Sequence, residues 1–184
     1  MADPYITMIT GLSAAVVGGA LALLSVYFTN RSNTTRLKVQ LEHESKQREI
    51  ELLRNRGEEL YELLDKWLKL LAGYYLRRTS VMQNKLTYNE CLELDIKDGK
   101  ENTSNYGRIA MLIDVYFPST RSAYDKIIEY RTELNKIEGE FKRNYKNGEV
   151  DGVPFIKSHV QSQISIDKAG EELKMLVLEK IRTL

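Results

Sequence analysis

The side chains able to do chemistry are few in this sequence and far apart along it. His43 and His159 are its two histidines and Cys91 its one cysteine. No ligand spacing for zinc exists among them, and a disulfide framework is ruled out. A single cysteine fits a reducing compartment. Both histidines read as isolated surface residues rather than metal ligands. A glycine-rich phosphate loop, a GxSxG elbow and an HExxH pair are all missing. The acids of DIKDGKENTSN, Asp95 to Asn105, do not fall at calcium-loop spacing. That leaves Asp114, the one acid inside the apolar segment RIAMLIDVYFP. A carboxyl in an apolar niche can serve as a proton donor, but it needs a second catalytic group beside it. Without one, Asp114 reads as a carboxylate paired with a Lys or Arg on a neighbouring helix, or as a partly exposed edge position. No catalytic, cofactor-binding or metal residue is assigned, no cofactor is expected, and no small-molecule substrate is evident. The expectation is a protein that is not an enzyme.

Two further groups invite a chemical reading. Tyr61, Tyr74, Tyr75, Tyr106, Tyr116, Tyr124, Tyr130 and Tyr145 offer flat rings on which bases could stack. On amphipathic helices such tyrosines more simply place an apolar ring at the core edge and a hydroxyl in water. The run KRNYKN, Lys142 to Asn147, is a small basic cluster that suits anionic headgroups or the end of a helix dipole. The formal net charge is only +1, so no basic field points to a nucleic-acid partner.

The elements that must position these residues begin with Ile6 to Phe28, ITMITGLSAAVVGGALALLSVYF, which carries no charge. As a helix it is roughly 35 Å long, enough to cross a hydrocarbon core of about 30 Å. It is too long for a signal-peptide core and lacks a positive residue before it. Residues 1–30 are therefore expected to form a transmembrane anchor. Arg31, Arg36 and Lys38 follow it and Asp3 precedes it. Positive charge stays on the cytoplasmic side, so the prediction is a single pass through the inner membrane, N-terminus outside and C-terminal domain cytoplasmic. Gly11, Ala15 and Gly19, with the parallel row Ala14, Gly18 and Ala22, form a small-residue face at the spacing that lets spans pack together.

Beyond the span, the polar run NRSNTT could cap a new helix at Asn33 or Thr34, although neither Gly nor Pro enforces a break. Residues 31–49 read as a charged membrane-proximal helix, and residues 50–184 as a helical bundle. Ile50, Gly57, Leu64 and Leu71 share one heptad position and Leu53, Leu60, Trp67 and Tyr74 another. Extra apolar residues widen that stripe beyond a two-stranded seam, the mark of a helix within a bundle. Gly57 within it permits either a bend or a close helix contact. A short helix is expected around Asn89 to Leu94, then a loop over Asp95 to Asn105. Arg108 to Pro118 reads as a helix buried nearly all round. Ala123, Ile127, Tyr130, Leu134, Ile137 and Phe141 give the cleanest helical periodicity in the chain. After the loop Asn147–Pro154, a last helix presents Ile156, Val160, Ile164, Ala169, Leu173, Leu176, Val177 and Ile181 inward. The expected class is all-α: one transmembrane helix, then an antiparallel bundle of about four helices with a long first helix. Its core should include Trp67, Leu112, Tyr116, Phe117, Leu134 and Phe141.

The segment RIAMLIDVYFP, followed by AYDKIIEYRTELNKI and a Gly-Asp-Gly-like loop near position 150, resembles a group of small bacterial membrane proteins. They have one N-terminal span and a helical domain carrying MLI-x-x-YFP. The resemblance covers Gly57 to Leu184 and implies that fold and a bacterial inner membrane. Its motif is a packing pattern, so it transfers no site residue. Two functions follow as expectations. One is a membrane-anchored interaction, scaffold or sensor protein with a protein partner or with itself. The other is an oligomeric membrane effector that forms a pore or perturbs the bilayer, as in bacterial stress or phage defence.

Overall fold

The computed structural model describes residues 4–101 and 106–184, with side chains from Val17 onward except Ala20, Lys100 and Glu101. The described residues are all-helical. Helix α1 runs Pro4–Met82, α2 Tyr88–Glu101 and α3 Tyr106–Tyr116. A 3-10 turn at Pro118–Thr120 leads into α4, Arg121–Lys146, and α5 covers Val153–Arg182. The chain divides into two compact units, residues 1–50 and 51–184.

Within the first unit, the possible break at NRSNTT does not occur. Thr34 and Thr35 donate their hydroxyls to the carbonyls of Asn30 and Arg31, at 2.8 and 3.0 Å. Such back-bonding satisfies the hydroxyls that otherwise compete with helical geometry. Among the described residues no helix is long and apolar enough to cross a membrane. Residues 6–16 and 20 of the uncharged stretch lie outside the residues whose side chains are described, and with them Gly11, Ala14 and Ala15. Gly18, Gly19 and Ala22 are exposed, as are Arg31, Arg36 and Lys38.

The second unit is a helical bundle built on one large core. Leu60, Leu64, Trp67 and Leu71 of α1 meet Ile109, Leu112 and Ile113 of α3, Ile127 and Leu134 of α4, and Ile166, Leu173 and Val177 of α5. Trp67 packs edge-on against Tyr106 at 5.5 Å between centroids. Phe117 joins this core, and Tyr116 packs against it half-buried. Phe141 belongs instead to a smaller cluster with Val81, Met82 and Cys91. Gly57 resolves as a close contact, because a Cβ there would meet the side chains of Ile181 and Phe117.

Three expectations need correction. Helix α3 is not buried all round: Asp114 and Val115 face solvent, and Asp114 pairs with Arg121 at 2.6 Å. Helix α2 extends through Asp95 and Asp98 to Glu101, where a loop was expected. Its start is a reciprocal cap: Glu90 N–H donates to Thr87 Oγ1 at 3.2 Å, and Thr87 N–H donates to Glu90 Oε2 at 2.7 Å. The inward face of α5 is rotated in its first half. Ile164 is exposed, and the buried residues there are His159 and Ile166.

An ion-pair cluster ties α3 to α1. Arg108 grips Glu59 with Nε and Nη2 at 2.6 and 2.8 Å, and Arg56 adds a contact at 2.9 Å. The Arg108 hydrogen bonds, with help from Arg56, hold the Glu59 carboxyl at about 2 against desolvation. A depressed carboxyl stabilises the fold above its ordinary pKa near 4.5, and that contribution disappears as pH falls through about 2. The stability gap between the wild type and Glu59→Gln should thus be full at neutral pH and close between those values. Thermal melts of the chain in mild detergent, read by Trp67 fluorescence, check this. A gap that stays constant down to pH 2 would remove Glu59 as its source.

Candidate functional site: a cleft between α1, α2 and α4

The second unit contains a cleft of about 610 Å³. Leu70 to Arg78 of α1 form one wall, Tyr88 to Gly99 of α2 another, and Arg131 to Lys142 of α4 the third, with Tyr106 of α3 at one end. Its volume falls in the range of small-molecule sites.

Consecutive arginines of α1 clamp α2. Arg77 donates to Asp95 at 2.9 Å and reaches Asp98 at 2.7 Å. Arg78 reaches Asp95 Oδ2 at 2.5 Å, Cys91 Sγ at 3.1 Å and the Tyr74 hydroxyl at 3.2 Å. Its guanidinium also lies over the rings of Tyr74 and Tyr88, 4.6 and 5.2 Å from the centroids. Arg78 is 7 % exposed, and its Nε is buried without a partner. Burial disfavours the charge, but the Tyr74 hydroxyl, Cys91 and Asp95 outweigh it and raise the guanidinium pKa. Burial pushes the thiol of Cys91 up, so this cysteine is a packed core residue and not a reactive thiolate. The same effect raises the phenols of Tyr74, Tyr75 and Tyr88.

Behind the cleft lies a chain of polar groups that the sequence did not announce. His159, read as a surface residue, is fully buried. Its Nε2 is 3.2 Å from Glu138 Oε1, and its Nδ1 is 3.1 Å from Thr79 Oγ1. A carboxylate can only accept, so Glu138 fixes the imidazole proton on Nε2 and leaves Nδ1 for the threonine hydroxyl. A hydroxyl, an imidazole and a carboxylate in that order are the parts of a nucleophilic triad. Here the one hydroxyl proton is shared between Nδ1 and the Tyr75 carbonyl, each 3.1 Å away, and Thr79 is 7 % exposed and not part of the cleft wall. No reacting atom can reach it. The chain is a packing device that orients Glu138, whose Oε2 accepts from the Tyr74 hydroxyl at 3.4 Å.

The α4 wall carries two cations that face tyrosine rings. Arg131 lies over the Tyr106 ring at 5.1 Å and Lys142 over the Tyr88 ring at 5.8 Å. Neither is paired with a carboxylate among the described residues. Among those residues there is also no group of three or more His, Cys, Asp or Glu side chains set to hold a metal.

No family model, curated protein or solved structure matches this chain. No residue role can therefore be carried over from elsewhere, and the site rests on its own geometry. Of the tyrosines considered as a stacking surface, Tyr74, Tyr75 and Tyr106 do line the cleft, joined by Tyr88. Tyr61, Tyr116, Tyr124 and Tyr130 belong to the main core and its edge, and Tyr145 to the smaller cluster. The sequence does not announce the cleft because its ionic wall spans two helices, the second of which reads as loop from Asp95 onward. Thr87-x-x-Glu90 was the available signal for that helix.

Proposed function

We propose that this protein is a membrane-anchored helical binding protein that works by interaction and not by turnover. Its anchor is the stretch Ile6–Phe28, and its working part an antiparallel helical bundle on the cytoplasmic face of a bacterial inner membrane. The observation that carries this reading is the exposure of Val17, Leu21, Leu23, Leu24, Val26, Tyr27 and Phe28, each more than half accessible. An uncharged helix with that much apolar surface needs a cover. Lipid is the cover that fits best, because charge is absent from Pro4 to Asn30 and Arg31 follows at once. Tyr27 and Phe28 then stand at the interface, where aromatic rings are favoured. The binding reading draws on the cleft, which gathers polar groups around an open volume.

Alkaline washing of membranes from cells that express the full chain tests the anchor. The wild type should remain with the membrane, and Val17→Arg/Leu21→Arg should be released, since an arginine near the middle of a span costs about 3 kcal/mol on insertion. A C-terminal reporter should be active only in the cytoplasm. Recovery of the wild type in the washed supernatant, or reporter activity outside, would overturn the reading.

A further inference from the structure

We propose that the cleft between α1, α2 and α4 binds a nucleoside phosphate. This deepens the binding reading and is independent of the anchor, so failure at the cleft and failure at the membrane are separate results.

The first support is steric. Gly139 sits inside the 26-residue α4, two turns before its end, where a glycine weakens a helix relative to alanine. Among the described residues, no atom outside its own stretch of helix lies within 4 Å of where its Cβ would be, so packing among them does not require it. Gly99, on α2, lines the same cleft and is equally open. Two elements thus give up side chains around one volume of about 610 Å³. Space kept clear on both α2 and α4 is space for a bound molecule.

The second support is the chemistry of the walls. Arg77 and Arg78 are neutralised by Asp95 and Asp98, and Glu138 is held by Tyr74 and His159. Arg131 and Lys142 remain as the cations turned to tyrosine rings and not to acids. They stand eleven residues apart on one helix, about 16 Å along its axis, so an anionic group at either end of the cleft meets one of them. Between them lie flat or apolar surfaces, Tyr88, Tyr106 and Leu92, the last 47 % exposed. The Asn135 amide, whose carbonyl accepts from the Tyr75 hydroxyl at 3.3 Å, lies on the same stretch of α4. A ring to cover the apolar wall, edge groups for an amide and a phosphate for the cations describe a nucleoside phosphate. A polyphosphate should bind more tightly than a monophosphate, because it brings more negative charge and more acceptor oxygens to the cation it meets.

The full chain in detergent provides the test, with titration of ATP, AMP, adenosine and inorganic phosphate followed by calorimetry and Trp67 fluorescence. Trp67 is the one tryptophan and touches Tyr106 at the cleft. Saturable binding is expected in the order ATP, AMP, adenosine, with phosphate alone weakest. Arg131→Gln and Lys142→Gln should each weaken ATP about tenfold, the loss of one charged hydrogen bond. Gly139→Leu should abolish binding with a melting temperature at or above that of the wild type. Gly107→Leu, an open glycine outside the cleft, should bind as the wild type does. The proposal is overturned if neither ATP nor AMP saturates. Equal affinity for adenosine and ATP, or full affinity in Gly139→Leu, would overturn it as well.

Discussion

Gly152→Ala is expected to lower the melting temperature of the bundle by about 10 °C, the effect of roughly 3 kcal/mol in a unit of this size. Gly152 is buried just before α5 with φ −93° and ψ −6°, a conformation that alanine adopts freely. The backbone is thus no obstacle. The obstacle is space, because a Cβ would collide with the Cα, carbonyl oxygen and Cβ of Met82 at the end of α1. Backbone cannot rotate away as a side chain can, so the crossing of α1 and α5 must open. At Gly57 and Gly170 the obstructing atoms are side chains of Ile181, Phe117 and Leu68, which can shift, so alanine there should cost less. Opening the crossing also loosens Val81, Met82, Cys91 and Phe141, and displaces His159 from Thr79. Gly107→Ala is the control, since it meets nothing. Melting of Gly152→Ala within about 2 °C of the wild type would mean that the crossing is not tight.

Periodicity made most of the bundle legible. In α4 the spacing of Ala123, Ile127, Leu134 and Phe141 identifies buried positions directly, because one face of an amphipathic helix turns inward along its length, here onto the main core and then the smaller cluster. In α1 the two heptad rows land on Leu60, Leu64, Trp67 and Leu71 for the same reason. Where the code failed, tertiary partners had replaced hydrophobicity. Asp95 and Asp98 look like loop residues until Arg77 and Arg78 are placed opposite them. His159 looks like a surface residue until Thr79 and Glu138 satisfy both ring nitrogens, and buried polar groups are tolerated only when satisfied. Each of these partners lies 17 or more residues away along the chain, beyond any local window. Of the proposed cleft, Tyr74, Tyr75 and Tyr106 were visible in the sequence, and Tyr88 was not. Nor was the cavity, because its walls come from α1, α2 and α4, with Tyr106 of α3, which no local window brings together.

Asp95→Ala should cost about 3–5 kcal/mol, the penalty for leaving a buried cation without its counter-ion. Arg78 cannot escape to water easily: its side chain is 8 % exposed and flanked by Tyr74 and Tyr88. Arg77 loses the same carboxylate but keeps Asp98, so the damage falls on Arg78. A purely spatial loss would be smaller, and the two causes separate in a double-mutant cycle. Arg78→Met keeps much of the volume and removes the charge, which makes Asp95 the surplus group, yet Asp95 is 13 % exposed and retains Arg77. The double variant Asp95→Ala/Arg78→Met should therefore recover part of the stability lost in Asp95→Ala. Because the pair is shielded from solvent, salt up to about 0.5 M should change the coupling little, unlike that of the exposed Arg121–Asp125 pair. Additive losses in the cycle would show that the pair carries no coupling. The cleft would then owe its α2 wall to Arg77 and packing alone.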